Sequence, residues 1–284
     1  MNPDGPIVST DWLAGQLGKP GIRIADASWY LPDAKRNPIA EFHERHIPGA
    51  VFFDIDAISD HATDLPHMLP AATEFAAAME KLGIGDGDFV VFYDGAGIYS
   101  SPRARWMMRA MGHNQCAVLD GGLPKWMREQ RPTESGLPRE AGKARFAAEF
   151  QPELVRDYVR MRRNADSHAE QMVDARSPSR FRGEEPEPRP GVRPGHIPGS
   201  LNIHYAKLIS PDGTLRTMPE LRQIFLAEGV NLKRPVVTSC GSGITAAIVS
   251  LALEVAGAKD VALYDGSWAE WGAKTDAPIA MGPV

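Results

Sequence analysis

Residues 235–256 read PVVTSCGSGITAAIVSLALEVA, an apolar run, a glycine-containing turn and a long apolar stretch. Residues 236–238 have the length of a strand and do not alternate with polar residues, which is typical of a strand buried on both faces. Residues 245–256 have the length and composition of a buried helix. A strand, a turn and a helix in this order predict one unit of an α/β domain with a parallel sheet.

The same anchor residues occur twice along the chain, and the second set follows the first by about 145 to 150 positions. The pairs are Asp26-Ala27 and Asp174-Ala175, His46-Ile47-Pro48-Gly49 and His196-Ile197-Pro198-Gly199, Gly95-x-Gly97-Ile98 and Gly241-x-Gly243-Ile244, Asp120-Gly121 and Asp265-Gly266, and Trp126 and Trp271. An ordered series of this kind indicates a duplication. The sequence therefore predicts two tandem α/β domains, each a parallel sheet with helices on both faces.

We expect the N-terminal domain to cover residues 1–130 and the C-terminal domain residues 150–284. Residues 131–149 contain prolines, glycines and charges without a hydrophobic period, which predicts a linker. Further strands are predicted at residues 22–25, 89–93, 117–119 and 261–264, and further helices at residues 72–82, 101–111 and 219–228.

Composition excludes several classes of partner. The net charge of −5 provides no basic surface for nucleic acid. The longest apolar run, residues 244–253, is shorter than the roughly 20 residues of a membrane span. The first residues are polar and carry no pattern of an export signal. Two cysteines, Cys116 and Cys240, form neither a disulfide framework nor a zinc site, so we expect a cytoplasmic protein.

The duplication separates residues that the fold requires from residues that occur once. His46 and His196 recur in equivalent turns, and Trp126 and Trp271 recur as well, so we interpret all four as structural. Cys240 does not recur, because Asp94 stands at its position in the first half. It lies where a strand ends and a helix begins, and helix N-termini direct free N–H groups toward a bound anion or a thiolate. Cys116 precedes an apolar strand and is interpreted as a buried structural thiol.

Three functions compete for the loop around Cys240. The string Gly241-x-Gly243-x-x-Ala246 satisfies a permissive dinucleotide fingerprint, but it occurs late in the chain, and the cysteine would crowd a pyrophosphate. A cysteine phosphatase needs an arginine about six residues after its nucleophile, where this chain has Ala246 and Ala247. The remaining function is sulfur transfer, in which the cysteine accepts a sulfur atom and passes it on.

The sequence resembles the tandem rhodanese-domain sulfurtransferases, and among them those that use 3-mercaptopyruvate. The motifs that carry the resemblance are Asp26-Ala27-Ser28-Trp29-Tyr30-Leu31-Pro32, Phe52-Phe53-Asp54-Ile55-Asp56, His67-Met68-Leu69-Pro70, Cys240-Gly241-Ser242-Gly243-Ile244-Thr245-Ala246 and Tyr264-Asp265-Gly266-Ser267-Trp268. The thiosulfate-using branch carries basic residues directly after the cysteine, where this chain has Gly241 and Ser242. That difference favours mercaptopyruvate.

The resemblance implies a persulfide on Cys240, with pyruvate as the product and thioredoxin, a small thiol or cyanide as the sulfur acceptor. It implies a catalytic set in which Ser242 pairs with His67 and Asp56. Substrate is expected to contact Arg180, Arg189 and the loop residues Gly241, Gly243, Ile244 and Thr245, where Gly241 and Gly243 are free to take positive φ.

The segment that holds the two arginines has no obvious arginine counterpart in the first half. No cofactor or metal is implied. A thiosulfate sulfurtransferase and a non-catalytic rhodanese-like binding module remain the alternatives.

Overall fold

The computed structural model describes residues 5–138 and 142–283. Its contacts divide the chain into two compact units. Unit 1 comprises the described parts of Met1–Asp60 and Leu69–Gln151, together with Ser210–Leu215. Unit 2 comprises His61–Met68, Pro152–Ile209 and the described part of Arg216–Val284. Each unit therefore contains a short segment from the opposite half of the sequence.

The described residues form ten strands and ten α-helices. The strands are β1 (Ile7–Val8), β2 (Ile22–Asp26), β3 (Val51–Phe52), β4 (Phe89–Tyr93), β5 (Cys116–Leu119), β6 (Val155–Arg156), β7 (Gln171–Asp174), β8 (Ser200–Asn202), β9 (Val236–Ser239) and β10 (Val261–Tyr264). The helices are α1 (Thr10–Ala14), α2 (Pro38–Glu44), α3 (Ala72–Lys81), α4 (Ser101–Ala110), α5 (Gly122–Arg128), α6 (Tyr158–Ser167), α7 (Pro178–Arg182), α8 (Met218–Ala227), α9 (Ile244–Ala256) and α10 (Ser267–Trp271). Among these residues, no helix is both long and apolar enough to cross a membrane.

The two sheets have the same topology. In unit 1 the strand order is β1-β5-β4-β2-β3, and in unit 2 it is β6-β10-β9-β7-β8. All strand pairs in both sheets are parallel. The central strands β4 and β9 are buried along their whole length, as the unbroken apolar sequence of β4 and the lack of alternation in β9 predict. The predicted duplication and fold class are confirmed.

The predicted strands and helices occur within one residue of their expected bounds. The strands of two or three residues, β1, β3, β6 and β8, were not predicted, because such short runs carry no hydrophobic period. The four-residue strand β7 and the helices α1, α2, α5, α6, α7 and α10 were not predicted either. Residues 139–141 of the predicted linker lie outside the described residues. Later in that segment Phe146 is buried against Phe75, with 5.8 Å between ring centroids.

The recurring histidines have the same surroundings in both units, as expected for structural residues. Nδ1 of His46 lies 2.8 Å from the carbonyl oxygen of Phe42, and the two rings stack. In unit 2, His196 makes the same pair of contacts with Phe181. Trp126 and Trp271 are both fully buried, so their interpretation as core residues is also confirmed.

The exchanged segments are equivalent in the two repeats. His61–Met68 follows the His-Ile-Pro-Gly turn of the first half and precedes α3. Ser210–Leu215 follows the matching turn of the second half and precedes α8. Within unit 1, the backbone N–H of Leu215 donates to the carboxylate of Asp120 at 2.8 Å. Both repeats therefore have the same sheet and also contribute the same segment, the one before α3 or α8, to the opposite unit.

Candidate active site

Cys240 lies at the carboxyl end of the central strand β9, immediately before the turn that leads into α9. In an open parallel sheet this edge is where ligands bind, because the following helix presents its N-terminal N–H groups there. Cys240 is 2% exposed, so its thiol lies within the protein rather than on the surface. We call residues 240–243 the cysteine loop.

Helix α10 orients the first two peptide groups of the cysteine loop. The carbonyl oxygens of Cys240 and Gly241 accept hydrogen bonds from the N–H groups of Trp268 and Ala269, each at 2.9 Å. In a trans peptide the C=O and the next N–H point in opposite directions. The N–H groups of Gly241 and Ser242 therefore point away from α10.

The next peptide group connects the thiol to a histidine. The N–H of Gly243 donates to the sulfur of Cys240 at 3.1 Å, while the carbonyl oxygen of Ser242 lies 3.2 Å from Nδ1 of His67. Both ends of the Ser242–Gly243 peptide are thus engaged. By holding the carbonyl end, His67 helps to aim the N–H at the sulfur, where it stabilises negative charge.

The contact with Ser242 determines the tautomer of neutral His67. A carbonyl oxygen has no proton to donate, so Nδ1 must carry the hydrogen and Nε2 of the neutral ring must be the basic nitrogen. His67 is 5% exposed and has φ of +61°, an uncommon conformation for a residue other than glycine. The backbone of this segment therefore adopts a strained conformation that places the imidazole beside the loop.

Arg180 is held by a buried carboxylate. Its Nη2 donates to Oε2 of Glu187 at 2.5 Å, and the side chain of Glu187 is only 3% exposed. The other oxygen of Glu187 accepts from Nη1 of Arg176 at 2.8 Å. Arg176 is also paired with Asp174 and lies over the ring of Trp268. These contacts link Arg180 to a network of buried ion pairs.

Arg189 has a different environment. In the part of the chain that the structure describes, no carboxylate lies within ion-pair distance of its guanidinium. Burial lowers the pKa of Arg189, and the like charge of Arg180 lowers it further, although the charges of Cys240 and Glu187 oppose this change. An anion placed beside Arg180 and Arg189 would relieve their mutual repulsion.

Gly241 lies against both arginines. A Cβ atom added there would be 3.4 Å from Nη2 of Arg180 and 4.0 Å from Nη1 of Arg189. The structure thus brings the cysteine loop and both predicted arginines together. Gly243 has φ of +82°, as expected, whereas Gly241 is not among the residues with positive φ. The conformational freedom of glycine is thus used at Gly243 and not at Gly241.

The remaining predicted site residues divide between the units. Ile244 and Thr245 begin α9, where the first N–H groups have no partner inside the helix. The Ile244 side chain is buried to the same extent as that of Cys240. Asp56 belongs to unit 1, where its carboxylate accepts from Nε1 of Trp29 at 3.0 Å. A triad of Asp56, His67 and Ser242 remains a prediction.

The equivalent loop of unit 1 is filled by its own carboxylate. Asp94, at the position of the cysteine, is completely buried. One of its oxygens accepts from the backbone N–H groups of Tyr99, Ser100 and Ser101, and the other from the N–H of Ala96. A carboxylate that accepts several hydrogen bonds thus stands in unit 1 where unit 2 has the thiol, which accepts from the N–H of Gly243.

The first half does contain an arginine counterpart, contrary to the expectation from the sequence. A Cβ atom added to Gly95 would lie 3.4 Å from Nη2 of Arg36, the same distance that separates Gly241 from Arg180. Arg36 is held by Glu41 as Arg180 is held by Glu187. The match was missed because the two arginines are not aligned at the offset of the other anchors.

Sequence reasoning also missed Glu187 and Ser267. Glu187 lies in the string Glu184-Glu185-Pro186-Glu187-Pro188, which has the composition of a solvated loop. Ser267 accepts the N–H of Cys240 at 3.2 Å and donates to the carbonyl of Tyr264. It belongs to a motif that carried the family resemblance, which was the only available signal for a role near the cysteine.

These contacts assemble the parts that thiolate chemistry requires. The Cys240 sulfur accepts a hydrogen bond from a backbone N–H at the N-terminus of α9. Arg180 and Arg189 lie beside the cysteine loop, and His67 contacts the carbonyl oxygen of Ser242. A cysteine in these surroundings can act as a nucleophile, and the arginines suit a donor that carries a carboxylate or another anionic group.

Comparison with known proteins agrees with this geometry. The model of the rhodanese-like domain matches residues 9–129 and again residues 157–274. The chain is 45% identical over 271 residues to the human 3-mercaptopyruvate sulfurtransferase, a match that covers 93% of this chain and 91% of the human protein. It is 44% identical over 294 residues to thiosulfate/3-mercaptopyruvate sulfurtransferase 1, mitochondrial, of Arabidopsis thaliana, covering 96% and 78% of the two chains.

Among solved structures, the chain is similar to the crystal structure of SseA from Escherichia coli, which is described as a 3-mercaptopyruvate sulfotransferase with the rhodanese fold. The TM-score is 0.85 at 42% sequence identity, and the match covers 93% of this chain and 99% of SseA. Two matches to the domain model and this full-length similarity leave one conclusion. The chain belongs to the rhodanese family, as a sulfurtransferase with two rhodanese domains in tandem.

Proposed function

We propose that this enzyme transfers a sulfur atom from 3-mercaptopyruvate through a persulfide on Cys240 to a thiol or cyanide acceptor, with release of pyruvate. The single observation that carries the proposal is the contact of the Gly243 N–H with the Cys240 sulfur beside Arg180 and Arg189. It combines a nucleophile that can be stabilised as an anion with cations that fit a donor carboxylate.

In the first step the Cys240 thiolate attacks the sulfur of mercaptopyruvate. An S–S bond forms, the C–S bond breaks, and its electron pair leaves as the enolate of pyruvate. The proton of the donor thiol finally resides on the methyl carbon of pyruvate, and Cys240 retains a persulfide anion. Charge balances, because two negative charges stand on each side of this step.

In the second step the acceptor attacks the outer sulfur of the persulfide. Cyanide leaves as thiocyanate and a thiolate leaves as a persulfide, and in both cases the S–S bond to Cys240 breaks and its thiolate returns. The N–H of Gly243 stabilises negative charge on the sulfur that attacks the donor, and the loop N–H groups stabilise the charge of the persulfide.

Substrate positioning is assigned to the two arginines. A planar guanidinium can bind a carboxylate and a neighbouring keto oxygen with two parallel hydrogen bonds. Arg180 is already fixed by Glu187, so little side-chain entropy is lost when substrate binds. Arg189 has no carboxylate partner among the described residues and supplies the charge that an incoming donor neutralises.

Proton transfer is assigned to Ser242 and His67. Neutral His67 has its basic nitrogen at Nε2, since Nδ1 faces the carbonyl of Ser242. A base of this type can accept the donor's thiol proton directly or through the Ser242 hydroxyl and return it to the enolate. In the proposed triad, the carboxylate of Asp56 stabilises the imidazolium that forms.

The acceptor and the compartment are proposed on chemical grounds. Thioredoxin, a small thiol and cyanide all present a nucleophile that can attack a persulfide. Both Cys116 and Cys240 are free thiols, which suits a reducing compartment such as the cytoplasm. One relative carries "mitochondrial" in its name, so cell fractionation with an antibody to this chain is the test of location.

The deciding experiment is the replacement of each cysteine. Cys240→Ser should eliminate sulfur transfer, because a hydroxyl does not ionise near neutral pH or carry a persulfide, whereas Cys116→Ser should retain it. Mass spectrometry after donor treatment should find an increase of about 32 Da on Cys240 in the wild type. Equal loss of activity in both variants would refute the assignment, and a wild type without the adduct would favour a non-catalytic binding module.

A further inference from the structure

Glu187 is the only carboxylate that contacts Arg180 in the described part of the chain, and its side chain is almost completely buried. Arg176, on its other side, is also bound by Asp174, so it would keep one anionic partner without Glu187. Burial lowers the pKa of Arg176, but Asp174 and Glu187 raise it more, so Arg176 remains protonated. The charge of Glu187 is therefore directed chiefly at Arg180 and its surroundings.

The charges around the donor position are nearly balanced. Three arginines, Arg176, Arg180 and Arg189, face two carboxylates, Asp174 and Glu187, which leaves one net positive charge. That charge is cancelled when Cys240 is ionised. A donor with one negative charge therefore leaves the site at −1, and a donor with two leaves it at −2.

We propose that Glu187 determines donor specificity, because its buried charge limits the positive field at Arg180 and disfavours doubly charged sulfur donors relative to singly charged ones. This inference rests on the proposed function, since it concerns which donor loads Cys240. Coulomb energy scales with the product of the charges. Removing one negative charge from the site therefore changes the energy of a dianion twice as much as that of a monoanion.

Glu187 is a positioning residue as well, because it fixes the Arg180 guanidinium through a short hydrogen bond. Loss of positioning would weaken all anionic donors together, whereas loss of charge would change the ratio between donors. These two effects are separable by a pair of donors that share their sulfur chemistry. Thiosulfate is a dianion that releases sulfite, and methanethiosulfonate is a monoanion that releases methanesulfinate, each leaving one sulfur atom as the Cys240 persulfide.

The experiment measures kcat/KM for both donors and for mercaptopyruvate, with cyanide as acceptor and thiocyanate as the product detected. Glu187→Gln should raise the ratio of thiosulfate to methanethiosulfonate about tenfold. Glu187→Asp retains the charge and should keep the wild-type ratio even where both rates fall. Glu184→Gln is the matched control, because Glu184 pairs with Arg182 on the surface a few residues away, and it should leave the ratio unchanged.

A Glu187→Gln ratio within twofold of the wild type would overturn the proposal, as would an equal shift in Glu187→Asp. Thermal unfolding is recorded for each variant, and Glu187→Thr provides a second neutral side chain if the glutamine variant does not fold. Failure of both neutral variants to fold would also overturn the proposal, because it would make Glu187 a structural residue. A wild type that is not loaded by any donor would instead contradict the proposed function.

Discussion

Replacing Asp26 with Asn should stabilise unit 1 at neutral pH, although Asp26 is buried and hydrogen-bonded. Its Oδ1 accepts from both the N–H and the hydroxyl of Ser28, and no cation pairs with it among the described residues. Burial is the largest cause of a pKa raised from 3.8 to about 6, and the hydrogen bonds only partly oppose it. Asp174, the equivalent residue, is instead paired with Arg176.

The sign of the effect follows from proton linkage. Folded Asp26 binds its proton more tightly than the unfolded chain does, so unit 1 loses stability as the pH rises from about 4 to about 6. A shift of about two pH units corresponds to about 3 kcal/mol. The amide oxygen of Asn can accept both hydrogen bonds from Ser28. Asn loses about 1 kcal/mol at any pH through imperfect contacts with Tyr93, so Asp26→Asn should gain about 2 kcal/mol at pH 7.5 and lose up to about 1 kcal/mol at pH 4.

Urea-dependent labelling of Cys116 in a Cys240→Ser background measures the effect, because Cys116 is buried in strand β5 and reports the opening of unit 1. The midpoint should rise at pH 7.5 and fall slightly at pH 4. A midpoint that falls by the same amount at both pH values would refute the reasoning. As a control, Asp174→Asn should lower the thermal midpoint at both pH values, because it removes one partner of the buried Arg176.

Three further predictions concern the site. Arg180→Ala or Arg189→Ala should lower kcat/KM for mercaptopyruvate, and the loss should correspond to about 2 to 4 kcal/mol of transition-state stabilisation. Both variants should remain folded. An unchanged kcat/KM in either variant would remove that residue from the site. His67→Asn keeps a hydrogen-bond donor near the position of Nδ1 but lacks the basic nitrogen. This variant should form the persulfide far better from methanethiosulfonate than from mercaptopyruvate. Equal losses of loading rate with both donors would mean that the imidazole only positions the loop. Gly243→Ala should strain the cysteine loop by about 1 to 2 kcal/mol and slow persulfide loading, because Gly243 has positive φ. Gly241→Ala should be tolerated. Equal loading rates of the two variants in stopped-flow experiments would contradict the roles given to the two backbones.

The fold could be predicted because its signals are local. An unbroken apolar run such as strand β4 indicates a buried strand without knowledge of its neighbours, and the repeated anchors place that strand in two copies of one domain. Cys240 was found for the same reason, since its position after a strand and before a helix is visible in the sequence. The arginines required the family resemblance, because a surface arginine and a substrate-binding arginine have the same local sequence.

The features that could not be predicted depend on residues distant in sequence. Glu187 lies among charged residues and prolines, and only its contacts with Arg176 and Arg180 distinguish it from a solvated side chain. A pairing of His67 with Ser242 was expected from the family resemblance alone, because the two residues are 175 positions apart and no periodicity indicates their contact. The conformation of Gly241 is set by hydrogen bonds from α10, which follows it by more than twenty residues.

The exchange of short segments affects how this chain matures on the ribosome. Unit 1 extends to Gln151 but also contains Ser210–Leu215, so its last part emerges 64 residues after Gln151. At a synthesis rate of about 5 to 20 residues per second, that interval is roughly 3 to 13 s. During this time the Asp120 carboxylate, which accepts the N–H of Leu215 in the finished protein, lacks that partner. The nascent N-terminal half therefore lacks part of unit 1 until residues 210–215 have been synthesised.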